Sequence, residues 1–279
     1  MIEIPETYVL ADQIKKSLSG KSISDAAANT HPHKFAWFTG DPGEYSDKLA
    51  GRKLTSANPG AEYSGGGFVE IICEDTLLAI STPIKYHEKG KKLPAKHQLL
   101  IEFDDGSHLS CTVQMWGAMY CFPVGSPSMP ETYSSAYSPS PLSDEFDEAY
   151  FELLLGNAKP ELSAKAFLAT EQRIPGFGNG VLQDVLFNAK IHPRKKLQSF
   201  SSIQAVRLYK SIKSTLKDMR DQGGRDTEKD LYGQKGGYST IMSAKNLGGP
   251  CPVCSSRIVR EAYLGGNVYF CPECQPLED

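Results

Sequence analysis

Apolar positions near the amino terminus recur at helical spacing. In "ETYVLADQIKKSL" the side chains of Val9, Leu10, Ile14 and Leu18 fall on one face, which predicts an amphipathic helix. The period then shortens. "GFVEIICE", "TLLAIST" and "HQLLIEFDDGSHLSCTVQMWGAMYCF" are rich in branched and aromatic residues, and "DDG" inside the last reads as a hairpin turn. A β-sandwich or barrel with a helix packed on it is expected over residues 1–122. Residues 123–143, "PVGSPSMPETYSSAYSPSPLS", are dense in proline and serine without a period and read as a linker.

Helical spacing returns after the linker and defines a domain over residues 144–222. "SDEFDEAYFELLLG" predicts a helix with Ser143 as its N-cap and Gly156 as its stop, and "SAKAFLATEQ" starts in the same way at Ser163. In "GVLQDVLFNAK" the apolar face is Val181, Leu182, Val185, Leu186 and Ala189, ended by His192-Pro193. The next helix places Leu208, Ile212, Leu216 and Met219 inside, with Lys210, Lys213, Lys217 and Arg220 on another stripe. Residues 223–247 are glycine-rich with little pattern and read as a mobile connector to a terminal module, 248–279.

Composition sets wide bounds. Of 279 residues, 40% are hydrophobic and 23% charged, which suits packed globular domains. No apolar run approaches the length of a membrane span, so no membrane partner is expected. "MIEIPETYVL" lacks a basic start followed by an apolar run, so a cytoplasmic location is expected. The net charge of -3 hides a segregation: residues 159–220 hold twelve Lys/Arg against four Asp/Glu. A basic middle in an acidic chain fits a localised phosphate-binding face, and a solvated lysine-rich helix surface is the plainer alternative.

The tail carries the strongest chemical signal. Cys251/Cys254 and Cys271/Cys274 are two CPxC pairs separated by sixteen residues, long enough for a hairpin. Four thiolates at this spacing can surround one structural zinc ion per chain. Disulfides are the competing reading. An odd total of seven cysteines, with Cys73, Cys111 and Cys121 scattered in strand-like runs, argues against them.

A second signal lies in "IPGFGNGVLQDVLFNAKIHPRKK". Gly176 and Gly178 followed by Asn179 at a helix start place backbone amides and the Asn side chain around one point, a site that attracts an anion. A plain glycine turn with an Asn cap is the alternative.

This stretch resembles the helix-two-turns-helix element of the formamidopyrimidine-DNA glycosylase/endonuclease VIII family of base-excision repair enzymes. The cysteine tail resembles that family's zinc finger, "LYGQKGG" the segment leading into it, and "MIEIPE" its amino terminus, normally Met-Pro-Glu-Leu-Pro-Glu. The motifs occur in family order across nearly the whole chain, while the middle matches by "KHQLLIEFDDGS" and strand pattern. The resemblance implies an α+β multidomain protein: an N-terminal β-sandwich with flanking helix, a helix-two-turns-helix domain, and a β-hairpin zinc finger. It implies damaged double-stranded DNA as partner, a nucleoid-associated monomer, and no nucleotide cofactor. Gly178 and Asn179 are then expected on a backbone phosphate, and the lesion-capping loop in the connector.

Catalysis is where the chain departs from the family. There, methionine removal exposes a proline amine that forms a Schiff base with the damaged nucleotide; such an amine, with a pKa of about 7.7 to 8.0, is partly unprotonated near neutrality. Here Ile2 stands in its place, so Met1 is expected to be retained and an amine of Met1 or Ile2 is the candidate nucleophile. Glu3 keeps the catalytic-carboxylate position and Glu6 also matches; a carboxylate there can do general acid/base work without an amine. Taken alone, Glu3 is a solvated terminal residue.

The DNA-gripping positions also differ. The finger's phosphate-binding arginine is replaced by Gly266, with Arg257 and Arg260 nearby as substitutes. "YSGGG" stands where a phosphate-contacting lysine should precede "FVEII", leaving Lys53 upstream. "TVQMWG" replaces Asp-Pro-Arg-Arg-Phe-Gly, so Gln114, Met115 and Trp116 are candidates to fill the gap left by a flipped base, unless Met115 and Trp116 are core residues. The expected function is a DNA glycosylase with or without abasic-site lyase activity, acting on damaged, oxidised bases by base flipping. A catalytically silent damaged-DNA binder of the same fold is the alternative, and a zinc-ribbon protein serving protein partners a third.

Overall fold

Pro5 sits in the first turn of helix α1 (Ile4–Leu18), where its missing N–H costs nothing, and Ile4, Leu10, Ile14 and Leu18 form the buried face. The computed structural model describes residues 2–60, 67–125 and 138–277. The chain divides into two units, residues 1–137 with 223–236, and residues 138–222 with 237–279.

In the first unit two sheets enclose one core. Strands β1 (Ile23–Ala28), β6 (Ile84–His87), β7 (Leu99–Phe103) and β8 (His108–Cys111) form a four-stranded sheet ordered β1-β7-β8-β6. The other sheet contains β2 (Ala36–Phe38), β3 (Leu54–Pro59), β4 (Val69–Cys73), β5 (Thr76–Ile80) and β9 (Gly117–Pro123), ordered β2-β9-β5-β4-β3. Pairing is antiparallel except for edge strand β2, which runs parallel to β9. Alternation explains the layers: Leu99, Ile101 and Phe103 of β7 point into a core shared with Ile71, Leu78 and Met119, while Glu102 is exposed. Helix α1 packs on β3 and β4, and a short helix α2 (Tyr45–Leu49) packs on β1 and buries Tyr45 and Leu49. The expected "DDG" hairpin joins β7 to β8, with Gly106 at φ 78° and Asp105 accepting from the Ser107 amide at 2.9 Å. Strands β1, β2, β3 and β6 have weak apolar alternation and were not anticipated individually. Of the linker expected over 123–143, residues 126–137 lie outside the described residues.

The second unit begins with helix α3 (Glu148–Gly156). Its N-cap is Asp147, whose carboxylate accepts from the Tyr150 amide at 2.7 Å; the expected cap, Ser143, instead offers its carbonyl to Lys213 Nζ at 2.6 Å. Gly156 ends the helix as anticipated. A wide helical turn at Ala166–Thr170 follows Ser163, whose hydroxyl accepts from the Ala166 amide at 3.2 Å. Helices α4 (Asn179–Ala189) and α5 (Ser202–Asp221) pack together, burying Val181, Leu182, Val185 and Leu186 with Leu208, Ile212, Leu216 and Met219. A capping box of Ser201 and Gln204 starts α5. The tail forms a two-stranded hairpin, β10 (Val259–Tyr263) and β11 (Gly266–Phe270), closed by Leu264 and Gly265 with φ 45° and 73°. Two positive φ values make a turn whose twist matches the strands, which is why Gly occupies its second position.

The stretch 223–247, expected as a connector, is divided between the units. Residues 223–236 belong to the first, where the Asp230 carboxylate accepts from Gln13 Nε2 at 2.9 Å and the Leu231 carbonyl from the Tyr86 amide at 2.8 Å.

Candidate functional site

Glu3 is not a solvated terminal residue. It is only 9% exposed, and its Oε2 lies 3.2 Å from Nη1 of Arg225, itself 2% exposed. Glu6 holds the same guanidinium in a fork, Oε1 to Nε at 2.9 Å and Oε2 to Nη2 at 2.7 Å, and also accepts from the Arg225 amide at 3.2 Å. Pro5 positions this pair by starting the helix between them, and the positive φ of Gly223 and Gly224 turns the returning chain toward it. Burial works against the charge on Arg225, but the carboxylates of Glu3 and Glu6 outweigh it and hold the guanidinium above its usual range. Glu228 belongs to the same cluster: burial raises its carboxyl, opposed by Arg225 and reinforced by Glu6 and Glu3.

Ile2 lies in the apolar core at 5% exposure, and its nitrogen is an amide donating to the Ser81 carbonyl at 3.1 Å. That geometry gives the Ile2 side chain a packing role. Met1 lies outside the described residues. Lys53 is exposed at an isolated bridge to Ser22. Gln114, Met115 and Trp116 form an exposed loop between β8 and β9; with Met115 at 73% and Trp116 at 39% exposure, neither is a core residue.

In the second unit, Asn179 is the first residue of α4, and Gly178, not Asn179, occupies the cap position. The Asn179 side chain reaches the hairpin instead: its Nδ2 donates to the Asn267 carbonyl at 2.9 Å. Gln183, one turn on, donates to the same carbonyl at 3.1 Å and accepts from the Tyr269 amide at 3.0 Å. The glycine turn and the finger are therefore one construction. A Cβ at Gly266 would lie 3.5 Å from Lys165 Nζ and 3.6 Å from Asn179 Nδ2, so a cation borne on Lys165 stands beside the position where the resemblance expects arginine. Burial lowers the Lys165 pKa, and its ammonium donates to the Tyr263 carbonyl. Arg194 stacks over the Tyr263 ring at 4.6 Å. Arg257 and Arg260 are exposed, the latter opposite Tyr269 on the hairpin.

The four tail cysteines converge. Their sulfurs all lie within 4.8 Å of one another, with Cys251–Cys274 at 3.8 Å and Cys254–Cys271 at 3.4 Å. A tetrahedral ion with metal–sulfur bonds of about 2.3 Å requires sulfurs about 3.8 Å apart, so the donor set fits a metal of zinc's size. The amides of Val253 and Cys274 point at the sulfurs of Cys251 and Cys271 at 3.5 Å each, an outer layer of donors that stabilises thiolate charge. Cys73, Cys111 and Cys121 are separately buried free thiols, with Cys73 pushed up to about 12 and Cys121 to about 11, in both cases mainly by burial.

Arg225 and Lys165 are the residues that pattern reading missed. Arg225 sits in the glycine-rich stretch 219 positions from Glu6, beyond any local spacing, and Lys165 is one lysine among the twelve basic residues of its segment.

No family model matches the chain. Among curated proteins it is 26% identical to the formamidopyrimidine-DNA glycosylase of Cytobacillus firmus over 287 residues, covering 99% of this chain and all of that one. It is 31% identical to the formamidopyrimidine-DNA glycosylase of Prochlorococcus marinus over 205 residues, 71% of each chain. Among solved structures it superposes on Lactococcus lactis Fpg in complex with DNA containing an abasic site, with a TM-score of 0.81, 23% identity and coverage of 98% and 99%. It likewise superposes on the MutM (Fpg) protein of Thermus thermophilus, with a TM-score of 0.80, 19% identity and coverage of 99% and 100%. At these identities the structures speak for the fold, and the sequence relatives for descent: the chain belongs to the formamidopyrimidine-DNA glycosylase family.

Proposed function

We propose that this chain is a divergent DNA glycosylase without the family's amino-terminal proline, which releases damaged, oxidised bases from duplex DNA after flipping them. A flipped base is required because the glycosidic bond is unreachable inside the stack. The observation that carries this reading is the withdrawal of Glu3 from solvent into an ion-paired cluster with Arg225 and Glu6. A carboxylate at the family's catalytic position, oriented by a buried guanidinium, is suited to activating a water or stabilising the positive charge that develops on the sugar.

Isoleucine in place of the family's amino-terminal proline favours hydrolysis over Schiff-base chemistry. In hydrolysis the C1'–N bond breaks with its electron pair leaving on the base, water oxygen bonds to C1', and the water proton passes through Glu3 to the departing base. Glu6 and Arg225 would position Glu3. In the second unit Asn179 and Gly178, with Lys165, Arg257 and Arg260, would hold phosphates, while Lys53 and the loop of Gln114, Met115 and Trp116 would serve the duplex from the first. Zinc on Cys251, Cys254, Cys271 and Cys274 would be structural, cross-linking the two ends of the finger. A monomer acting on cytoplasmic, nucleoid-associated DNA is the matching context.

A silent damaged-DNA binder is the second reading, favoured by Ile2 in place of the proline and by Gly266. The separating experiment incubates the protein with duplexes carrying an oxidised base or an abasic site, with and without borohydride. Base release without a trapped adduct, abolished in Glu3→Gln, is the expected result. A trapped adduct on Met1 or Ile2 overturns hydrolysis in favour of amine chemistry. Tight binding with neither product overturns the enzyme reading.

A further inference from the structure

The first unit exposes a row of aromatic rings of which the duplex reading uses only Trp116. Phe35 and Trp37 are each 45% exposed on and beside edge strand β2, and Trp116 is 39% exposed on the loop entering β9. Phe35 and Trp37 have centroids 6.4 Å apart at 41°, and Trp37 and Trp116 are 6.0 Å apart at 70°. At these tilts the rings do not stack on one another, and each stays more than a third exposed. Met115, 73% exposed, extends the apolar surface.

The platform is built rigidly. Gln98, 5% exposed, donates from Nε2 to the His31 carbonyl at 2.9 Å and accepts at Oε1 from the Val113 amide at 2.7 Å, tying three segments together. The Gly117 amide donates to the Phe35 carbonyl at 3.0 Å, and Ala36 and Trp37 pair in register with Gly117 and Ala118. The His31 and His97 rings meet at 4.8 Å. Segments 29–38, 96–98 and 112–117 contain Lys34 and Lys96, and no Asp or Glu. Lys34 lies over the Phe35 ring at 5.2 Å.

Exposed rings with a lysine beside them fit a strand whose bases are unpaired, because stacking needs a free base face and a lysine can meet its phosphates. In a duplex those faces are occupied. We propose that Phe35, Trp37 and Trp116 form a stacking platform for single-stranded DNA, so that a duplex with unpaired nucleotides beside it is held more tightly than a fully paired one. This rests on the reading of the chain as a DNA-binding protein and does not require that it release bases.

Trp37 and Trp116 are the two tryptophans of the chain, so intrinsic tryptophan fluorescence reports the platform directly. The intact zinc-loaded protein is titrated with a lesion-free oligothymidylate and, separately, with a duplex of equal length. Saturable quenching by the single strand, stronger than by the duplex, is expected. By filter binding, Trp37→Ala and Phe35→Ser each weaken single-strand binding about tenfold, and weaken duplex binding less. Thermal melts of both variants exclude misfolding, and quenching of the unsubstituted protein is an independent readout. Absence of quenching, or equal losses for strand and duplex, overturns the platform. Base release without quenching sinks the platform alone; quenching without base release leaves the platform standing and sinks the glycosylase.

Discussion

Arg225 Nη1 stands 3.2 Å from Glu3 Oε2, and both side chains are withdrawn from solvent. A buried guanidinium with two carboxylates is satisfied only while all three remain, since each charge left alone keeps its desolvation cost. Arg225→Met is therefore expected to destabilise the protein by about 3–5 kcal/mol in urea unfolding. Arg225→Met combined with Glu6→Gln is expected to cost less than the sum of the two single changes, because the second removes a charge that the first has stranded. Additive losses would mean that the cluster is not a coupled unit.

Gly236 fixes the same segment by close approach of backbone to backbone. A Cβ there would lie 2.2 Å from the carbonyl carbon and oxygen of Gly224 and 2.7 Å from the Arg225 nitrogen, none of which is a flexible side-chain end. Gly236→Ala is expected to destabilise by about 1–3 kcal/mol or more as the turn carrying Arg225 is displaced. Gly156→Ala is the control, since nothing lies within 4 Å of its Cβ, and it should change stability by no more than about 1 kcal/mol.

His87 supplies a pH dependence. It is buried, its Nε2 lies 2.8 Å from Ser110 Oγ, and burial followed by the positive field of Lys85, His108 and His97 lowers its pKa. The folded protein then resists a proton that the unfolded chain accepts from about pH 6.5 downward, so stability is full above that pH and falls below it. Between about pH 6.5 and pH 5, above the carboxylate range, urea midpoints should decline, and His87→Gln should reduce the slope. The remainder is expected from His192, also lowered chiefly by burial. An unchanged slope in His87→Gln would show that the imidazole is not buried neutral.

Legibility followed the range of the interactions. Helices α4 and α5 were readable because their apolar faces repeat within one element, and the finger because four cysteines at fixed spacing admit few other uses. Edge strand β2 was not: three residues, with Trp37 facing solvent, give no alternation. Asn179 stands out in the sequence by its glycines, but its hydrogen bond to Asn267 is set by tertiary packing, and the plainer alternative of an Asn cap does not hold because Gly178 occupies the cap. Glu3 was marked by resemblance alone, and its partner Arg225 carries no local signal because glycines precede it and its carboxylates lie at the other end of the chain.

The finger and the glycine turn should fail together. The hairpin is joined to α4 through Asn179, Gln183 and Tyr269, and to the chain after α4 by Gln275, whose Nε2 donates to the Ile191 carbonyl at 2.9 Å while its Oε1 accepts from the Cys271 amide at 3.1 Å. Cys251, Ile258 and Cys271 also share a small apolar cluster with Phe187 of α4 and Met242. A module this small would hold its hairpin chiefly through a metal on the four cysteines. Chelation, or Cys271→Ser, is therefore expected to release hydrogen-exchange protection at the Tyr269 amide. It should also reduce both duplex affinity and the steepness of its salt dependence, since fewer cations then reach phosphates. Asn179→Ala should lower affinity in the same direction while the metal stays bound. If chelation left affinity and salt slope unchanged, the finger would not be part of the DNA-binding surface.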